Sequence, residues 1–356
     1  MAGMGERSYV YAKACGIIGK SFVGRRIAAL HPVSRLSELD RLIFGSGARE
    51  LPERELLPDL EKRLIRRSVT QIVSIVNSFK NPPELLSLLL RVYEYSDLKT
   101  ALALIAEGEL DRPRGEPAAL GRFGTVRFDA WPDVKAMLGG TEFEFLLGGK
   151  GELKKEFDGV SLETALDRRY YDRLWKSILA LGRGDRRGAE KITAEEISLR
   201  NCVWMLRLRT YYGMEAGEVR QHLIFLKERP DLSADALEAL EFPLDSRAEW
   251  ERWKRVSFLN PEGPSRRVFQ SKGSSGVWYA DPRYFQNAAS EYLYKLTLHS
   301  FRRRPSSIDT SFCFIKLKQF EEDLLTSNAE GLGMGMSSKD VFGILEAGSS
   351  LKPESP

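Results

Sequence analysis

The chain has 356 residues, of which 42% are hydrophobic and 29% are charged, a composition typical of folded globular proteins rather than disordered ones. Its 54 basic and 50 acidic residues leave a net charge of only +4, which lacks the concentrated positive field of a dedicated nucleic-acid-binding protein. Because the chain is longer than one compact core usually organises, we expect two or three substructures.

The cysteines and the hydropathy pattern indicate a compartment. Cys15, Cys202 and Cys313 are odd in number and far apart, and each lies in an apolar helical pattern, which favours buried, reduced thiols and a cytosolic protein. Charged residues interrupt the N-terminal segment, so no signal peptide is predicted. The longest uncharged apolar stretch, residues 68–79, is shorter than the roughly 20 residues of a membrane span. Any membrane contact is therefore expected to be peripheral.

The first part of the chain is predicted to be a series of helices. Apolar spacing predicts one helix over residues 9–30 and a short helix from Ser34 to the glycine turn at 45–47. The clearest helical pattern covers residues 56–79, where apolar positions recur three and four apart. Two prolines then end that helix, and a further helix is predicted over residues 84–93.

The middle of the chain is predicted to contain an irregular region followed by a helix. Residues 109–159 are rich in glycine and proline, which predicts loops with short helices, anchored by Trp131 and Phe143. A helix is expected over residues 161–181, followed by a basic turn at residues 183–187.

The segment 191–219 is expected to organise the fold as one amphipathic helix. Thr193 and Glu196 match a capping box at its start, and Gly213 is expected to end it.

The remaining elements are also predicted to be helical. They are helices over 215–226, 233–240, 247–256 and 285–301, a long exposed loop over 260–276, a basic turn at 302–304 and a frayed tail at 351–356. Since evidence for strands is thin throughout, the predicted fold is all-α.

One helical pattern occurs three times along the chain. In each copy a small acid or amide lies partway along a helix, a glycine ends that helix, and a new helix follows in the later two copies; the polar residues are Asp97, Asn201 and Asp323. The repetition predicts three related helical modules. A polar side chain at equivalent points favours a hydrogen bond to a neighbouring helix end, a role that requires no ligand.

The segment ACGIIGKS, residues 14–21, differs from a phosphate-binding loop at one position. A phosphate loop needs a preceding strand and a turn whose amides point at the phosphates, and residues 9–13 show no strand pattern. Nucleotide binding through Gly19, Lys20 and Ser21 is therefore disfavoured, although an enzyme of this kind remains one alternative.

No other motif predicts chemistry. The three histidines are not spaced as metal ligands or as members of a catalytic triad, so no catalytic, cofactor-binding or metal-binding residue is predicted. The short arginine clusters have two interpretations, a solvated helix end and a contact with phosphate or anionic headgroups. A helical nucleic-acid adaptor is therefore a second alternative. The candidate structural or interface residues are Asp97, Asn201, Asp323, Arg183, Arg186, Arg187, Arg302, Arg303 and Arg304.

Three segments together resemble a known family. They are SYVYAKACGIIGKSFVGRRIAAL followed by SRLSELDRLIF, then LETALDRRYYDRLW, and finally FIKLKQFEEDLLTSNAEGLGMGMSSKDVFGIL. In this order and spacing they resemble the C subunit of the V/A-type rotary ATPases, the counterpart of the d subunit in the eukaryotic vacuolar enzyme. The resemblance covers residues 9–345, and LDRRYY is its most characteristic local match.

The resemblance implies a non-catalytic, all-helical protein with three similar modules in a funnel about a pseudo-threefold axis. It implies a socket between the central shaft, subunits D and F, and the membrane proteolipid ring, on the cytoplasmic face of the membrane. No cofactor and no nucleic-acid partner are implied. The expected divisions are N-terminal helices at 1–55 that pack back on the third module, module 1 at 56–160, module 2 at 161–284, module 3 at 285–350, and a tail at 351–356.

Overall fold

The computed structural model describes residues 4–110, 115–157, 159–255 and 280–346. The predicted loop at 260–276 and the tail at 351–356 lie outside these residues. Within the described ranges all regular structure is helical and no strand occurs, so the all-α prediction is confirmed. None of the helices in those ranges is long and apolar enough to cross a membrane.

The helices vary from one turn to eight turns. They are α1 (Met4–Ile18), α2 (Leu36–Phe44), α3 (Glu53–Val76), α4 (Glu84–Glu107), α5 (Val134–Leu138), α6 (Gly159–Leu179), α7 (Arg183–Tyr211), α8 (Ala216–Arg220), α9 (Ala234–Ala239), α10 (Arg247–Arg252), α11 (Pro282–Arg303), α12 (Ile308–Gly333) and α13 (Ser338–Glu346). Short 3₁₀ segments lie at Gly24–Leu30, Gly45–Gly47, Gly121–Phe123, Phe128–Ala130, Glu144–Leu146 and Pro230–Ser233.

Three helical hairpins, α3–α4, α6–α7 and α11–α12, form the body of the molecule. In each hairpin two long helices pack against each other, and each hairpin also packs against the other two. The contacts between hairpins are α4 with α6, α7 with α11 and α12, and α12 with α3. The hairpins therefore surround a common interior.

The connections within the three hairpins are residues 77–83, 180–182 and 304–307, here called the hairpin tips. The third tip contacts the first turn of α7, which directly follows the second tip, because Arg304 Nη1 donates to the carbonyl of Gly184 at 3.3 Å. The amide of Ile308 also donates to Asp185 Oδ1 at 3.2 Å.

The beginning of α1 contacts all three hairpin tips or the helix turn beside them. Three successive side chains, Glu6, Arg7 and Ser8, each reach a different hairpin. The contacts are Glu6 Oε1 with the amide of Lys80 (2.6 Å), Arg7 Nη1 with Asp185 Oδ1 (2.8 Å) and Ser8 Oγ with Ser306 Oγ (3.2 Å). The three tips therefore meet at one end of the bundle, here called the tip end, and α4, α7 and α12 finish at the opposite end, here called the far end.

The core continues through the interior of this bundle, and α12 is its most buried helix. Residues 308–318 of α12 are buried on every side of the helix, as expected for a helix that other helices surround. The C-terminal half of α12 contributes Leu325 and Ala329 to a separate cluster with Phe22 and Leu39. The segment after α1 is thus packed against the last hairpin.

The helix predicted over residues 9–30 is wrong in its second half. The α-helix ends at Ile18, and a 3₁₀ segment begins at Gly24. Gly24 has a φ of +59°, which favours glycine and is incompatible with a continuing right-handed helix. Its amide donates to the hydroxyl of Tyr294 at 2.6 Å, so contact with α11 stabilises the interruption.

The predicted start of the organising helix is also wrong. α7 begins at Arg183, so the capping-box residue Thr193 lies in the helix interior and is fully buried. Residues 183–187 form the first turn of α7 and not a preceding basic turn. Spacing alone misplaced the start, because T-x-x-E also occurs inside a helix when both side chains face other elements.

The glycine stops are confirmed. Gly108, Gly213 and Gly335 have φ values of +73°, +63° and +80° and lie just beyond the ends of α4, α7 and α12, as expected for glycines at helix C-termini. Residues 84–93 and the copy at 95–108 form one helix, α4, and not two. The helix predicted over 215–226 is limited to α8, whereas short helices between 115 and 157 agree with the prediction.

Candidate functional site

A cavity of about 380 Å³ lies among α6, α7, α11 and α12. Its residues on α6, α7 and α11 extend from the middle of those helices toward the far end. The walls combine aromatic side chains with both signs of charge. The lining includes Glu163, Tyr171, Glu196, Arg200, Trp204, Arg207, Lys316, Phe320 and Asp323.

Lys316 and Glu196 form the central ion pair of this cavity. Lys316 Nζ is 2.8 Å from Glu196 Oε2 and 2.9 Å from Oε1, and the hydroxyl of Tyr171 donates to Oε1 at 2.9 Å. The contacts join α12, α7 and α6, one helix from the third hairpin and both helices of the second. Burial raises the pKa of Tyr171, with Glu196 contributing, so this hydroxyl stays protonated and acts as a donor.

A second charged group links the first two hairpins. Asp167 on α6 accepts from Lys99 on α4 at 2.6 Å and from Arg200 on α7 at 2.5 Å. Burial alone would raise the pKa of Asp167, but the two cations hold that pKa below its ordinary value. A carboxylate shared between two cations is an effective connection among three helices.

Asp323 is one of three acidic residues that line the cavity. Its side chain is exposed, while protein on its other sides keeps it from full hydration. This partial desolvation raises the pKa of Asp323 to about 6, and Lys316 opposes the increase. Within the described part of the chain Asp323 accepts no hydrogen bond, so it differs from the other two repeated polar residues.

Asn201 and Asp97 make structural hydrogen bonds, but their partners are loop residues and not the predicted neighbouring helix ends. Asn201 is buried, and its amide both donates to the carbonyl of Ile224 (2.9 Å) and accepts from the Ile224 amide (2.7 Å). Asp97 is half-buried and accepts from the amide of Ala118 at 2.8 Å. Each side chain fixes a loop that follows its own helix, and neither lines the central cavity.

The predicted arginines gather at the tip end, away from the cavity. Arg183, Arg186 and Arg187 lie in the first two turns of α7, while Arg302 and Arg303 end α11 and Arg304 follows it. The structure therefore brings the two arginine groups together and separates both from Asp323.

The segment resembling a phosphate loop does not have the required backbone. Residues 14–18 belong to α1, and the next three amides donate to carbonyls of that helix. The bonds are Gly19 to Cys15 (2.9 Å), Lys20 to Ile17 (3.0 Å) and Ser21 to Ile18 (3.0 Å). Amides occupied in this way cannot hold a phosphate, which argues against the nucleotide-binding alternative. Among the residues in the described ranges, no group of acidic, histidine or cysteine side chains is arranged to hold a metal.

Among the charged residues that line the cavity, the sequence singled out Asp323 alone as a candidate. Glu196 had been assigned to a helix cap, and Lys316, Arg200 and Asp167 had not been singled out by any motif. Their charges come from helices far apart in the chain, so only the packing shows that they meet. One sequence feature pointed to two of the residues in these charged groups, because Asp167 and Tyr171 belong to the LDRRYY segment.

Every side chain of LDRRYY, residues 166–171, is engaged within the chain. Leu166 and Tyr170 are buried in the core, Asp167 pairs with Lys99 and Arg200, Arg168 donates to the carbonyl of Leu223 (2.9 Å), Arg169 lies over the ring of Phe145 (5.5 Å), and Tyr171 donates to Glu196. The segment therefore joins three hairpin helices and two loops, which gives each of its six residues a specific contact.

Comparisons with known proteins agree with this architecture. The sequence matches the profile of the ATP synthase (C/AC39) subunit family over residues 47–341. An uncharacterized protein of Treponema pallidum (strain Nichols) is 26% identical over 342 residues, which cover 92% of this chain and 92% of the relative. The family is the non-catalytic C/d subunit of the stalk of V/A-type rotary ATPases. Since the match extends over most of the described helices, the chain belongs to the ATP synthase (C/AC39) subunit family.

Proposed function

We propose that this chain is the central-stalk subunit that couples the shaft, subunits D and F, to the proteolipid ring at the cytoplasmic face of the membrane. In this role it carries torque for ATP-linked ion transport and performs no chemistry. The observation that carries the proposal is the difference between the two ends of one bundle. A coupling protein needs two dissimilar contact surfaces on a body that does not deform between them.

The far end has the features of a surface for a protein partner. Large apolar side chains are exposed where all three hairpins finish: Leu110 after α4, Tyr211 and Tyr212 at the end of α7, and Met334 after α12. Met334 is 80% exposed. Exposed aromatic and methionine side chains, at the end of the bundle toward which a charged cavity extends, favour a protein contact. We therefore assign the far end and the cavity to the shaft.

The tip end suits the ring and the headgroup level of the membrane. It is closed by α1 and carries the arginines, which tolerate that environment. The proposal includes three related modules, one around each hairpin, with boundaries at 56–160, 161–284 and 285–350. The N-terminal residues 1–55 are assigned to the third module, because the contacts of Phe22 and Leu39 with α12 support that assignment.

Site-specific photocrosslinking in the assembled complex tests this orientation. A photoreactive residue replaces Met334 at the far end or Arg303 at the tip end, and the crosslinked subunits are identified after purification from native membranes. We expect shaft products from position 334 and proteolipid products from position 303. Exchanged products would reverse the orientation. A chain that purifies with neither shaft nor ring would overturn the function.

A further inference from the structure

The tip end carries four arginines without a protein partner among the described residues. Arg183, Arg187, Arg302 and Arg303 are exposed and make no ion pair there. They come from two hairpins, but the contact between Arg304 and the carbonyl of Gly184 holds the two groups side by side. The four arginines therefore lie at the same end of the bundle, on two adjoining helix ends.

The carboxylates near this surface already have ion-pair or hydrogen-bond partners within the chain. Asp185 pairs with Arg7 at 2.8 Å, and Asp309 accepts from the amides of Gly188 and Ala189 at 2.8 and 3.0 Å. Glu190 lies 3.5 Å from Arg186. The surface thus has a local excess of positive charge that the net charge of the whole chain conceals.

Two apolar side chains are exposed at the same end of the bundle as the arginines. Tyr9, 60% exposed, follows the residue that contacts Ser306. Leu179, 37% exposed, ends α6, and its carbonyl accepts from Arg186 at 3.3 Å. A tyrosine and a leucine among unpaired cations are suited to the boundary between headgroups and acyl chains, where both kinds of group are stabilised. A nucleic-acid backbone would satisfy the cations but not Leu179.

We propose that this surface, formed by Tyr9, Leu179, Arg183, Arg187, Arg302 and Arg303, binds anionic phospholipid headgroups directly. The inference rests on the proposed function for its location, since a tip end facing the ring also faces the lipid around it. Lipid contact would add a second attachment to the membrane besides the protein contact with the ring.

Vesicle flotation with the purified full-length chain tests the proposal. The probes are phosphatidylcholine vesicles with and without phosphatidylglycerol. We expect binding only to the anionic vesicles, with roughly fivefold affinity from each arginine at low salt and a decrease as salt is raised. The double variant Arg302→Gln/Arg303→Gln should therefore bind roughly twenty-fold more weakly, and Tyr9→Ser should bind more weakly at every salt concentration.

The matched control removes the same charge elsewhere. Arg220 and Arg252 are exposed, lie on α8 and α10, and are unpaired in the described part of the structure, so Arg220→Gln/Arg252→Gln should retain nearly all vesicle affinity. An equal loss in the control, equal binding to both vesicle types, or displacement by duplex DNA at the same phosphate concentration would overturn the proposal. A chain that purifies with shaft and ring but does not bind vesicles refutes the lipid contact alone. Binding to vesicles without co-purification refutes the proposed function instead.

Discussion

Two charged clusters lie on α12 within a few residues of each other, and they differ in their access to water. Lys316 faces the cavity, where its partner Glu196 also accepts from Tyr171. Lys318 is fully buried and contacts Glu321 one turn later, with Ser21 Oγ at 3.2 Å. Both lysines are buried, but the Lys316 cluster borders the cavity and is here called wet, whereas the Lys318 cluster is enclosed by protein and is here called dry.

The dry cluster connects α12 to the beginning of the chain. Glu321 Oε1 accepts from the amide of Phe22 at 2.7 Å and from Arg67 at 3.3 Å. Burial, with Arg67 nearby, lowers the pKa of Lys318 to about 7, and burial raises the pKa of Glu322 to about 7. Lys318 and Glu322 lie close to each other's opposite charge, yet the pKa of each shifts in the direction that favours its neutral form. Loss of hydration therefore affects these two pKa values more than the nearby opposite charge does.

The largest expected effect comes from breaking the dry pair. Glu321→Ala removes the carboxylate partner of the buried Lys318 ammonium and the acceptor of the Phe22 amide, so we expect a loss of about 3–5 kcal/mol in the free energy of unfolding. Urea denaturation followed by circular dichroism measures it. The double variant Lys318→Met/Glu321→Leu should recover much of the loss, because it buries no charge. A loss below about 1 kcal/mol, typical of a solvated pair, would remove the distinction between the clusters.

The repeated polar positions offer a second contrast between dry and wet sites. Asn201→Ala leaves the amide and carbonyl of Ile224 buried and unbonded, which we expect to cost about 2 kcal/mol of unfolding free energy. Asp97→Ala exposes a half-buried amide to water and should cost less than about 1 kcal/mol. Equal costs in parallel urea titrations would show that burial does not separate the two sites.

The wet pair should tolerate the loss of its cation. In Lys316→Met, Glu196 keeps the Tyr171 hydroxyl and gains cavity water, so we expect a loss of about 1 kcal/mol. The measurement is the same urea titration, with Glu321→Ala as the reference. A loss as large as that reference would mean that the cavity does not hydrate Glu196.

The smallest effect is expected at Asp323 and appears as a pH dependence, because the side chain is exposed and solvent screens its interactions. Its folded-state pKa of about 6 lies above the ordinary value of 3.8, so the folded state binds more protons between these values and its stability falls as pH rises. The Asp323→Asn variant lacks this titration. The stability of wild type relative to the variant should therefore decrease between about pH 4 and pH 6 and stay constant above that window. A difference independent of pH would show that Asp323 is fully hydrated.

The helices, their glycine stops and the family could be predicted from the sequence because each depends on local spacing or on residue order. Gly108, Gly213 and Gly335 marked their helix ends, since a positive φ is a property of one residue and its neighbours. The break at Gly24 could not be predicted, because Tyr294, 270 residues away, helps stabilise it.

The charged cavity was beyond prediction for the same reason. Glu196 and Lys316 are 120 residues apart, and nothing in their local sequence distinguishes them from solvated helix charges. The burial of Lys318 could not be predicted either. Lys316 and Lys318 are two residues apart, and this spacing does not indicate which of them lines the cavity and which is enclosed. The location of the predicted arginines on a shared surface likewise depended on the packing of α7 against α11.

The contacts made by Glu6, Arg7 and Ser8 have a consequence for how the molecule is assembled during synthesis. The ribosome completes α1 before the three hairpins, but Ser8 meets Ser306 only after 298 further residues have been made. Closure of this end is therefore among the last events of folding, and contacts so distant in sequence form slowly. Until the third hairpin has been synthesised, α1 can contact only the first two hairpins. The apolar surface that α12 later covers remains exposed during that time.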